Sequence, residues 1–100
     1  MRGKSLEMES EYMENREVTK TIKNQQGEIV ALCNDGELWS PKLRSIVVPE
    51  IELKINRYYV KQENEEIEVQ VANGSESKKL LIANPKRDNI NLLMELPDSD

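Results

Sequence analysis

Between Glu66 and Val71 the chain alternates without a break: Ile67, Val69 and Val71 are apolar, and Glu66, Glu68 and Gln70 are polar. A period of two places one set on a buried face and the other in water, so the pattern predicts a strand. Four further segments read the same way. Glu17 to Lys23 is rich in β-branched residues: Val18, Thr19, Thr21 and Ile22. Ile29-Val30-Ala31-Leu32-Cys33 is apolar on both faces and predicts a central strand over 28–33. Tyr58-Tyr59-Val60 marks a strand over 57–63, and Leu80-Leu81-Ile82 one over 78–83. Turn signals separate them at Gln25-Gln26-Gly27, Asn34-Asp35-Gly36 and Asn73-Gly74.

The period changes after Trp39. Leu43, Val47, Ile51 and Ile55 recur every four residues, with Ile46 beside them. Ser40 suits an N-cap and Pro41 a first helical position. These features predict a helix over 41–53. It must bend or break at Pro49, whose ring would clash with the Ser45 carbonyl. Ile51, Leu53 and Ile55 also alternate, so a strand over 50–56 is the rival reading. A short last helix, Ile90 to Leu96, is expected, capped by Asp88 or Asn89 and ended by Pro97.

The expected fold is α+β, in the order β-β-α-β-β-β-α. Its consecutive hairpins imply a mostly antiparallel five-stranded sheet, with the helices covering one face. The expected organisation is a flexible N-terminal tail over 1–16, one domain over 17–97 and a solvated tail over 98–100.

Trp39-Ser40-Pro41, the helix after it, Tyr58-Tyr59-Val60, the Lys-Lys-Leu-Leu strand at 78–81 and the Asn-rich ending at Leu96-Pro97 resemble a family of small prokaryotic proteins. That family is the domain of unknown function DUF3892. The resemblance spans about residues 17–98. The chain departs from the family pattern at Pro49, and at Leu92, where the family tends to place Asn. The resemblance supports the fold outline and implies no activity.

Composition narrows the chemistry. The hydrophobic fraction is 37% and there is no Phe, so Ile, Leu and Val must build the core. No His occurs anywhere. That removes Ser-His-Asp and Cys-His catalysis and the usual zinc and non-haem iron ligand sets. Cys33 is alone and reads as a small buried hydrophobe. Glu63, Glu65, Glu66 and Glu68 lack the spacing of a calcium loop and read as a solvated face. The glycines at 27, 36 and 74 are isolated turn residues, so no phosphate loop is indicated. No cofactor is expected, and no catalytic residue is assigned.

The net charge of −5 disfavours general affinity for nucleic acid or anionic membranes. The first residues hold no apolar run and no span of membrane length exists, so a cytoplasmic location is expected. What remains is a surface: Trp39, Tyr58 and Tyr59 as aromatic anchors, with Lys78, Lys79, Lys86 and Arg87 as a local basic edge. The ordinary account of those lysines is edge protection. The expected function is a non-enzymatic protein-interaction module acting as a monomer, with an unknown protein partner. The alternative is a nucleic-acid-associated accessory domain that uses the basic edge.

Overall fold

The computed structural model describes residues 12–85 and 90–99. Eight short strands and one α-helix are present among them: β1 (Glu14–Glu17), β2 (Lys20–Lys23), β3 (Ile29–Cys33), β4 (Lys42–Leu43), α1 (Arg44–Glu52), β5 (Asn56–Gln62), β6 (Glu65–Glu68), β7 (Gln70–Asn73) and β8 (Lys79–Ile82). The class is α+β, but the expected five-stranded sheet does not form. Three small sheets take its place, ordered β1-β5-β6, β2-β3-β4 and β7-β8.

Two bends divide the sheet. At the first, neighbouring amides serve different sheets: Val18 N–H donates to Tyr59 O (2.8 Å) and Thr19 N–H to Cys33 O (2.9 Å). At the second, Val69 N–H donates to Tyr58 O (2.8 Å), whereas Gln70 already pairs with Ile82. The strand read as continuous over 66–71 is therefore β6 and β7, joined through Val69. Val18 and Val69 are both fully buried. Bending at these points wraps the strands around a small core, which a flat sheet with helices on one face would not enclose. β1 also pairs in parallel with β5, so residues 14–16, placed above in the tail, belong to a sheet. The tail's residues 1–11 lie outside the described set.

The helix starts later than its sequence signals suggest. The Ser40 hydroxyl accepts from Asn34 N–H (2.8 Å), so it closes a turn instead of capping a helix. Lys42 and Leu43 then pair with β3, and α1 follows from Arg44. Pro49 lies inside α1, and the rival strand over 50–56 is absent except for Asn56, the first residue of β5. α1 ends in a Schellman pattern. Lys54 N–H donates to Ile51 O (3.1 Å) and Ile55 N–H to Glu50 O (2.8 Å), with Lys54 at φ 58° where glycine is usual.

The expected last helix is a 3₁₀ turn over Leu92–Glu95, capped by Asn91. It does not cover a sheet face as a helix would. Instead, Leu92 and Leu93 enter a single core with Val18, Leu32, Val47, Tyr58, Val69 and Leu81. No described helix is long and apolar enough to cross a membrane.

Candidate functional site

Alternation along β5 buries Asn56, Tyr58 and Val60 and leaves Arg57 and Tyr59 partly exposed. Arg16 sits opposite Tyr58 in the β1–β5 register, and this pairing organises the most polar part of the interior. Arg16 Nη1 donates to the Tyr58 hydroxyl (2.7 Å), which itself donates to Glu50 Oε1 (2.5 Å). Arg16 Nε donates to Glu14 (2.8 Å), and its Nη1 lies 3.7 Å from Glu50. The guanidinium carbon is 5.6 Å from the Trp39 ring centre and 5.6 Å from that of Tyr58. The two rings meet edge to face at 5.6 Å.

Burial drives the Tyr58 phenol pKa well above its usual value; Glu50 adds to the shift and Arg16 opposes it. Burial works against the Arg16 charge, but Glu14 and Tyr58 outweigh it and raise the Arg16 pKa. The assembly clamps β1 onto β5 and α1. Tyr58 is fully buried, so the hydroxyl at its centre is closed to a substrate.

Beside the clamp lies an open notch of about 360 Å³, lined by Glu14, Arg16, Glu37, Leu38, Trp39 and Lys42. Leu38 is fully exposed at its rim. Glu50 links the clamp to α1. Ile46 and Leu53 flank Glu50 at helical spacing and both are exposed. Exposed Ile55 follows the helix, and its carbonyl accepts from the N–H of exposed Met13 (2.7 Å). With Leu43, these make six of the eight exposed large hydrophobics among the described residues. The other two, Ile90 and Met94, belong to the C-terminal segment.

The aromatic anchors named from sequence divide. Trp39 lines the notch, Tyr58 is core, and Tyr59 lies partly exposed under Arg57, whose guanidinium carbon is 5.2 Å from its ring centre. The basic edge does not join them. Lys78 pairs with Glu28 (2.7 Å) and Lys79 with Glu52 (2.5 Å). Lys86 and Arg87 lie outside the described residues. Sequence reasoning missed Arg16, Leu38, Lys42 and Glu50. The charged N-terminal stretch masked Arg16, and only long-range pairing brings it to Tyr58.

Among the described residues no group of three or more His, Cys, Asp or Glu is placed to hold a metal ion. No family model, no curated protein and no solved structure matches the chain. The resemblance to DUF3892 rests on the residues quoted for it alone.

Proposed function

We propose that this chain is a non-enzymatic protein-interaction module and that the notch with the outer side of α1 is its docking face. One observation carries the reading: fully exposed Leu38 lines an open notch with Trp39 and a rigidly held Arg16, and Glu50, which joins that clamp, lies between exposed Ile46 and Leu53 at helical spacing. Single surface hydrophobics are ordinary, whereas an exposed leucine beside an aromatic and an arginine in one notch has the composition of an interface. The nucleic-acid alternative has less support, because Lys78 and Lys79 already face carboxylates.

A photo-crosslinking residue placed at Leu38 tests the reading. In lysate it is expected to give a discrete product that Ile46→Glu with Leu53→Glu abolishes. The same residue at Lys61, an exposed position on β5, is expected to give none. Equal products from both positions would refute the docking face.

A further inference from the structure

Lys42 distinguishes the notch from the rest of the surface. Among the described residues, Lys42 and Lys61 are the two cations with neither a hydrogen bond nor an ion pair from the side chain. Lys61 is exposed and hydrated. Lys42 is half-buried and lines the notch. A lysine held in the notch by its stem, with no partner for its ammonium among the described residues, is free to pair with an incoming anion.

The other charges facing the notch leave that role open. Glu14 is taken up by Arg16, and Glu37 is exposed at the rim. Arg16 uses Nε on Glu14 and Nη1 on Tyr58, while its guanidinium carries five N–H donors, so donors remain on a second cation lining the notch. Trp39 and Leu38 supply the apolar part of the lining.

We infer that the notch receives a carboxylate side chain flanked by apolar residues, supplied by an extended segment of a partner protein. Lys42 and the remaining Arg16 donors hold the carboxylate, and Trp39 and Leu38 contact its apolar neighbours. This inference rests on the interaction-module reading and names the chemistry of the partner.

The test uses two probes on the full chain labelled with nitrogen-15: acetyl-Leu-Glu-Leu-amide and its neutral match acetyl-Leu-Gln-Leu-amide. The acidic probe is expected to shift the Lys42 amide and Trp39 indole signals and to bind about fivefold more tightly than the neutral one. Lys42→Met, which keeps the apolar stem, should erase that preference. Lys42→Arg should keep it, and Lys61→Met should leave it unchanged. Well-dispersed spectra of the variants separate lost binding from lost folding. Equal binding of the two probes, no binding of either, or shifts confined to other surfaces would overturn the inference. If crosslinking from Leu38 still succeeds in that case, the docking face stands and only the carboxylate is refuted.

Discussion

Tyr58 and Tyr59 are neighbours with opposite fates. Strand alternation required that one face the core, and β5 selects Tyr58, but the choice depends on Arg16 and Glu50, which come from other elements. The buried phenol makes stability depend on pH. Its folded pKa is raised, so the unfolded chain ionises first. Stability is then complete below the ordinary phenol value of about 10 and falls as pH rises above it. Tyr58→Phe should lower stability at neutral pH through the lost hydrogen bonds and flatten the alkaline decline, as read from urea unfolding at a series of pH values. An unchanged alkaline slope would exclude Tyr58 as its source. The alternation at 66–71 was legible in the same way. Val69 is fully buried, and Ile67 and Val71 pack against the core from partly buried positions. Val69→Ala should cost about 2 kcal/mol through the cavity it leaves. Glu68→Ala loses the bond that the half-buried carboxylate accepts from the Tyr12 hydroxyl (3.2 Å) and should cost about 1 kcal/mol or less. Equal losses in denaturant melts would contradict this register.

At the scale of elements, periodicity located most segments and misjudged how they join. Ile29 to Cys33 is the buried strand that its continuous apolar run implied. The helix is present but displaced, because Asn34 takes the Ser40 hydroxyl that sequence assigned to a cap. No local signal marks the bends at Val18 and Val69, since both residues continue an apolar pattern and only their amides change partner. The edge of β8 is another case. Leu80-Leu81-Ile82 reads as a bare apolar edge, yet Asn91 covers it with its carboxamide. Asn91 Nδ2 donates to Leu81 O (3.1 Å), and its Oδ1 accepts from Ala83 N–H (2.9 Å) and Leu93 N–H (3.1 Å). One side chain thus stands in for a neighbouring strand and also caps the 3₁₀ turn. Asn91→Ala would leave the amide of fully buried Ala83 unpaired and should cost about 2–3 kcal/mol. Asn91→Asp keeps the acceptor and loses the donor, so its loss should be smaller. Thermal melts of the two variants check the order.

For the whole molecule, the strands form one winding path, β4-β3-β2 bending into β1-β5-β6 and then into β7-β8, with α1 packed against β3, β5, β7 and β8. Open sheet edges invite pairing with another chain, and two of them are closed by the C-terminal segment. Asn91 and Leu92 close β8, where Leu92 N–H donates to Ala83 O (2.8 Å). Residues 97–99 close β2: Thr21 N–H donates to Pro97 O (3.1 Å), and Ser99 N–H to Thr21 O (2.8 Å). Lys23 secures the closure by pairing with Asp98 (2.8 Å). Asp98 and Ser99, expected as part of a solvated tail over 98–100, therefore act with Pro97 in part as an added strand, a role only the tertiary structure reveals. The expected outcome of this closure is a monomer at micromolar concentration. A chain ending at Leu96 keeps Leu92 and Leu93 in the core but exposes the Thr21 amide and carbonyl along β2. Sedimentation velocity should find the full chain monomeric and the shortened chain associating as its concentration rises. A shortened chain that stays monomeric would mean that the closure stabilises the fold without guarding an edge.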